Sequence, residues 1–170
     1  IASAVSALML QGHRLRGTWQ HDVTLYLALN HYCAELLERG GLPAAKLRLK
    51  PNFVDGPAET APGERNGLLF VGRLSPEKGT ALLAAAAALR PGMEPVRVIG
   101  DGPDRDRLAA CPGLQLLGAL PPAKVMQHMQ EASALVLPSL GAEVFPRTLV
   151  EAFACALPVI ASRVGALPEL

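Results

Sequence analysis

Cysteine is scarce: Cys33, Cys111 and Cys155 are far apart, odd in number, and form no CxxC pair. Neither a structural zinc site nor a disulfide framework is supported, and a reducing, cytoplasmic setting is the expectation. Aromatic residues make up only 4% of the chain, which disfavours binding of single-stranded nucleic acid by base stacking. An excess of one charge is also missing, with 16 Lys+Arg against 15 Asp+Glu and a net charge of +1. Neither nucleic-acid nor anionic-membrane binding can be read from that balance. Long apolar runs are absent as well. The opening Ile1 to Leu10 is too short to span a bilayer and has no basic region before it, and nothing later reaches membrane-spanning length.

What is present is ample apolar material: half of the 170 residues are hydrophobic, which excludes a disordered chain. Gly and Pro, 16 and 15, follow no repeating period and signal many connections rather than a fibre. The length suits one ordinary domain, or one plus a piece of another. The chain starts on Ile and stops just after a strand-like run, so it is expected to be a fragment of something longer.

The clearest break in composition runs from Asp55 to Asn66, with two Pro, two Gly, mixed charge and no large apolar residue. This is linker chemistry, assigned to residues 56–66. Before it, Val23 to Leu29 reads as a buried strand, a helix starts near Tyr32 and closes at Gly40, and Leu47 to Leu49 reads as a short strand. Residues 1–55 therefore supply two strands and one or two helices, too little for a stable layered core. After the linker, residues 67–170 alternate regularly. Strands are expected at 68–72, 96–99, 114–117, 135–137 and 159–161, and helices at 76–89, 103–110, 122–131 and 146–156. Nearly continuous apolar strands alternating with helices imply a parallel sheet covered on both faces, a doubly wound α/β domain. Such folds bind ligands beyond the carboxyl ends of their strands.

Three loops lie there. In the first, Ser75 is a good N-cap and Pro76 suits the first helical position, but Lys78 in that turn opposes the helix dipole. Arg73 and Lys78 beside a helix N-terminus make sense if an anion such as a diphosphate sits between them. They also make sense as two solvated surface cations, and on charge pattern alone that plainer reading has the edge. In the second, Gly100 and Gly102 permit close backbone approach, yet no third glycine completes GxGxxG. Asp104 and Asp106 match a DxD metal pattern. They fall in a first helical turn, where acids are expected anyway, and residues two apart on a helix point in different directions. In the third, Pro146 opens a helix with Arg147 in its first turn and Glu151 on the same face, while Leu149, Val150 and Phe153 are expected to face the core. Glu143 precedes that helix. Two carboxylates and a guanidinium thus meet at the sheet's rim, and a carboxylate can accept both hydroxyls of a sugar diol. The alternative is a helical Arg147–Glu151 pair beside a solvated Glu143. His13, His21, His31 and His128 show no metal-ligand spacing, and no GxSxG elbow or Cys–His arrangement argues for hydrolase chemistry.

The motifs Leu69 to Gly79, Val98 to Pro103, Glu143 to Glu151 and Pro158 to Ser162, in that order, resemble the C-terminal domain of a group 1 glycosyltransferase, glycosyltransferase family 4. The resemblance covers Gly67 to Leu170. It implies the GT-B fold of two facing Rossmann-like domains, of which this chain would hold the nucleotide-sugar half. Pro51 to Asp55 is similar to the segment leaving the N-terminal domain, and Asp22 to Leu29 to that domain's last strands, so residues 1–55 would be its remnant.

By this resemblance the activity would be retaining transfer of a sugar from a nucleotide-diphosphate sugar to an acceptor hydroxyl, in glycan or polysaccharide biosynthesis. Arg73, Lys78 and Glu143 would be catalytic. Gly72, Arg73, Lys78, Gly100, Gly102, Glu143, Phe145, Arg147 and Glu151 would bind the donor, with Glu143 toward the sugar and Glu151 toward the ribose. No metal site and no cofactor is implied, because the cations hold the diphosphate. The expected partners are the donor and a glycan, lipid-linked or small-molecule acceptor, with no nucleic acid. Any peripheral membrane contact is expected only through the absent N-terminal region, at the inner face of the membrane, and the isolated fragment is expected to be inactive. Val144 and Ala156 stand where the family commonly has glycine. Two other readings remain open: a noncatalytic nucleotide-sugar-binding module, and a GT-B enzyme of another reaction such as an epimerase.

Overall fold

A computed structural model describes residues 2–56 and 63–170, and the central part of the expected linker, 57–62, lies outside the described residues. The chain divides into two compact units, one comprising residues 1–51 with Glu169, the other residues 52–168 with Leu170.

The first unit runs α1 (Ala2–Arg16), α2 (Thr18–His21), β1 (Tyr26–Ala28), α3 (His31–Arg39), a 3-10 turn (Ala44–Lys46) and β2 (Leu47–Leu49). β1 and β2 pair in parallel, Tyr26 opposite Leu47 and Ala28 opposite Leu49. The expected strand 23–29 shrinks to three residues because its partner is only three long and a strand ends where its ladder ends. Lys46 reinforces that limit by donating to the carbonyls of Gln20, His21 and Val23 at 2.7, 3.1 and 2.7 Å, which ties up the start of the segment. Asn30 caps α3, its side chain accepting from the Cys33 N–H at 2.8 Å. Sequence periodicity did not foresee α1. Its apolar residues are spread around the helix rather than gathered in a stripe, and Val5, Leu8, Met9, Leu10 and Leu15 are all exposed. Good helix formers such as Ala, Leu, Met, Gln and Arg make it helical regardless.

The second unit contains β3 (Leu68–Val71), α4 (Thr80–Ala88), β4 (Val96–Ile99), α5 (Arg105–Ala109), β5 (Leu114–Gly118), α6 (Pro122–Glu131), β6 (Ala134–Leu137), α7 (Arg147–Ala154) and β7 (Val159–Ala161). The five strands form one parallel sheet in the order β5-β4-β3-β6-β7. Alternation along each strand sends residues to two separate cores. Leu69, Ile99, Leu135 and Leu137 pack with Val125 and Met129 of α6 and Leu149 and Ala152 of α7. Phe70, Val96 and Val98 pack on the other face with Leu83 and Ala87 of α4 and Leu108 of α5. This is the expected doubly wound α/β architecture. From β3 the chain adds β4 and β5 on one side and then crosses to the other side to add β6 and β7. The strand order therefore reverses between β3 and β6, and a crevice opens there at their carboxyl ends.

Two local expectations change. The helix expected over 76–89 is split into a 3-10 turn (Pro76–Lys78) and α4, because Gly79 adopts φ 72° between them. A Cβ at Gly79 would run into the Pro138 carbonyl, so only glycine lets this turn press against the β6 loop. In α7 the core stripe is Leu149 and Ala152, with Val150 at the boundary and Phe153 53% exposed. The helix runs from Arg147 to Ala154.

Candidate functional site

The loops after β3 and β6 face each other where the strand order reverses. They enclose a cavity of about 200 Å³ lined by Gly72, Arg73, Lys78, Ser139, Glu143 and Arg147, among others. A second hollow of about 310 Å³ adjoins it, sharing Val71, Arg147 and Thr148 as common walls and adding Leu120, Met126 and Glu151. Of the nine residues singled out from sequence, six thus line one or both of these spaces.

Glu143 is the most firmly held of them. Its Oε1 accepts from Lys78 Nζ and from Ser139 Oγ, each at 2.6 Å, while its backbone carbonyl accepts from the Ala166 N–H at 2.7 Å. Its side chain is 14% exposed and Ser139 is buried. Glu143 Oε2 makes no hydrogen bond among the described residues, leaving one oxygen for a ligand. Ser139 was not foreseen from sequence. A serine following a strand-ending proline offers no pattern signal, and its role depends on a contact four residues on.

The turn holding Lys78 is bolted to the β6 loop. The Glu77 carbonyl accepts from the Leu140 and Gly141 N–H groups at 2.9 and 3.0 Å. Ser75 does not cap the turn as its residue type suggested. Its hydroxyl donates instead to Glu77 Oε1 at 2.6 Å. That bond first, and the Glu77 backbone N–H next, lower the Glu77 carboxyl below the usual carboxylate range, with attraction from Arg73 and Lys78 adding to them against some desolvation. Arg73 makes no hydrogen bond or ion pair among the described residues. One cation of the cavity is therefore uncommitted, and a second shares its charge with Glu143.

The helix N-terminus of α7 faces this group. Arg147 and Glu151 sit one turn apart, Arg147 Nη2 lying 3.6 Å from Glu151 Oε1. At that distance and with the guanidinium 75% exposed, the contact is a loose ion pair worth a few tenths of a kcal/mol, about 0.3–0.5 at most, and leaves Arg147 available. Glu151 lines the second hollow, so the two glutamates with seven residues between them serve adjoining spaces.

Gly100, Gly102 and Phe145 lie outside these linings. A Cβ on Gly100 would overlap the Gly72 carbonyl, and one on Gly102 the Leu74 carbonyl, so this pair lets the β4 loop pack beneath the β3 loop. The seam is completed by Gly72 N–H to Ile99 carbonyl at 3.0 Å and Leu74 N–H to Asp101 carbonyl at 2.9 Å. Phe145 contributes its carbonyl, which accepts from Asn52 Nδ2 at 2.9 Å. Asp104 of the DxD pattern is likewise directed inward to its own protein, accepting from Thr80 Oγ1 and forming an ion pair with Arg107.

A crevice at a strand-order reversal, lined by three cations and two carboxylates, has the chemistry to take an anionic ligand with hydroxyl groups. Residues 65–170 match the family model described as glycosyl transferases group 1. The chain is 32% identical over 114 residues to the D-inositol 3-phosphate glycosyltransferase of Segniliparus rotundus, covering 58% of this chain and 25% of the relative. It is 36% identical over 126 residues to the phosphatidyl-myo-inositol mannosyltransferase of Mycolicibacterium smegmatis, covering 68% and 32%. The chain thus spans about a quarter to a third of these relatives. Its fold superposes on Anabaena HepE in complex with UDP-glucose with a TM-score of 0.73 at 23% identity, over 86% of this chain and 47% of that one. With the motifs, the doubly wound sheet and the family match all falling on the same residues, this chain belongs to the group 1 glycosyltransferases and carries a Rossmann-like half of their GT-B fold.

Proposed function

We propose that this chain binds the donor for a retaining transfer of a sugar from a nucleotide-diphosphate sugar to an acceptor hydroxyl. One observation carries the reading: Arg73 and Lys78 of one turn and Glu143, 65 residues after Lys78, line one cavity at the strand-order reversal, and Glu151 lines the hollow beside it. In this reading Arg73 and Lys78 hold the diphosphate. Glu143 offers Oε2 to the sugar, and Glu151 accepts from the ribose hydroxyls. Arg147, on the wall common to both spaces, completes the cationic surround.

The reaction breaks the bond between the anomeric carbon and the diphosphate oxygen, and the electron pair leaves with the nucleoside diphosphate. Arg73 and Lys78 stabilise the charge that grows on that oxygen, an electrostatic contribution that is larger in the transition state than in the ground state. The acceptor oxygen bonds to the anomeric carbon on the face from which the diphosphate departs, and its proton passes to the departing diphosphate oxygen. The diphosphate is held by side chains, and no divalent metal is assigned a part. The fold neighbour bound to UDP-glucose and relatives acting on inositol-containing acceptors favour this class of donor and a glycan-building or glycolipid-building role.

Thermal unfolding with UDP-, GDP- and ADP-sugars tests the proposal, since a ligand that binds only the folded form raises Tm. One of the three should raise it, and Glu143→Ala should keep or enlarge the rise given by the nucleoside diphosphate while losing the extra rise given by its sugar. No rise with any donor would overturn the reading.

A further inference from the structure

Asp104 stands outside the cavity, yet both ends of the turn that carries Arg73 and Lys78 hang from it. Its backbone N–H donates to the Leu74 carbonyl at 2.9 Å, just after Arg73. Its carboxylate oxygen Oδ2 accepts from Thr80 Oγ1, two residues after Lys78. Thr80 is fully buried, and its hydroxyl lies 3.4 Å from the Ser75 carbonyl. Arg107 closes the group, its Nη2 forming an ion pair with Asp104 Oδ2 at 2.9 Å and donating to Thr80 Oγ1 at 3.1 Å. The Asp104 side chain is only 15% exposed, so these bonds are made largely out of water and are the stronger for it. The turn is three residues of 3-10 helix between Ser75 and the left-handed Gly79, with no side-chain cap, and its middle is tied to the β6 loop through the Glu77 carbonyl while its two ends rest on Asp104.

Resting on the donor reading above, we infer that Asp104 is a positioning residue for the diphosphate. It touches no substrate, and it fixes residues 73–79 so that Arg73 and Lys78 keep the spacing a diphosphate requires. Sub-ångström placement of such charges decides how well they are used, because the ligand cannot follow a cation that drifts. Electrostatics alone makes the opposite forecast. Removing a negative charge near an anion site would tighten anion binding, so weaker binding is the signature of lost position.

The test titrates the 170-residue chain and its variants with UDP, GDP and ADP and with the matching nucleosides, followed by NMR. Asp104→Ala should weaken the nucleoside diphosphate that the unmutated chain binds by about tenfold, the loss expected for a charge-assisted hydrogen bond. The nucleoside, which does not reach Arg73 or Lys78, should bind unchanged. Asp104→Asn, which keeps an acceptor oxygen, should restore most of the affinity. Thr80→Val, isosteric and blind to the charge, should reproduce the selective loss even if the alanine variant does not fold. Equal losses for diphosphate and nucleoside, or diphosphate binding that is unchanged or tighter in both the alanine and valine variants, would overturn the inference. If the unmutated chain binds none of the three diphosphates, the donor reading itself fails and this inference with it.

Discussion

Glu143 and Lys78 hold each other at 2.6 Å across the cavity, so under the proposed donor reading a diphosphate has to compete with a carboxylate for the lysine. Glu143→Gln should therefore release Lys78 and tighten nucleoside-diphosphate binding severalfold, about 1 kcal/mol, while removing the sugar's contribution to affinity. Calorimetric titration of the nucleoside diphosphate and of the matching nucleotide sugar against the unmutated chain and the glutamine variant checks both halves. Glu77 makes a different prediction. Its folded carboxyl titrates below the ordinary 4.5, first because Ser75 donates to it. A lowered folded value means that the ionised group favours folding in full above about pH 4.5 and that this support is lost as pH falls through the folded value. Urea unfolding at pH 7 and below pH 4 should show a smaller acid loss for Glu77→Gln than for the unmutated chain. An equal loss would remove Glu77 from the account.

At the scale of elements, the end of α7 is strained. Ala156 adopts φ 49°, the left-handed region that costs a residue with a Cβ about 1–2 kcal/mol. The strain is held in place by Arg65, which donates to the Ala156 and Cys155 carbonyls at 2.8 and 2.6 Å and so satisfies the helix's last acceptors. Ala156→Gly should raise stability by about 0.5–1 kcal/mol, the relief of strain less the greater freedom glycine gains on unfolding. Chemical denaturation reads this directly. The position of α7 was legible beforehand from Pro146 and the apolar residues that follow, and so was the likeness of Ala156 to a glycine position. The break between the 3-10 turn and α4 was not. It depends on Gly79 meeting Pro138, a residue 59 positions away that no local pattern reports.

At the scale of the whole molecule, the two units differ in how much they bury. Among the described residues of 2–51, Ala28 and Asn30 are the buried ones, whereas the strands of the second unit supply two full cores. Local opening free energy follows burial. Amides of β1, β2 and α3 should exchange with solvent much faster than those of β3, β4 and β6 in native-state hydrogen exchange. Equal protection would mean that the first unit is stabilised by something other than its own core. No helix among the described residues is long and apolar enough to cross a membrane.

The sequence alone determined the doubly wound sheet, because parallel strands buried on both faces must be written as continuous apolar runs between helices, and it also marked Arg73, Lys78, Glu143 and Glu151 as charges lying at strand ends. Tertiary structure decided what those charges do. Only the reversal of strand order between β3 and β6 brings loops 65 residues apart to face each other, so only the fold pairs Lys78 with Glu143 and recruits Ser139, and only it turns Gly100, Gly102 and Asp104 into supports for the turn instead of walls of the cavity. Contacts between residues far apart along the chain leave no local signature, and this site is made of them.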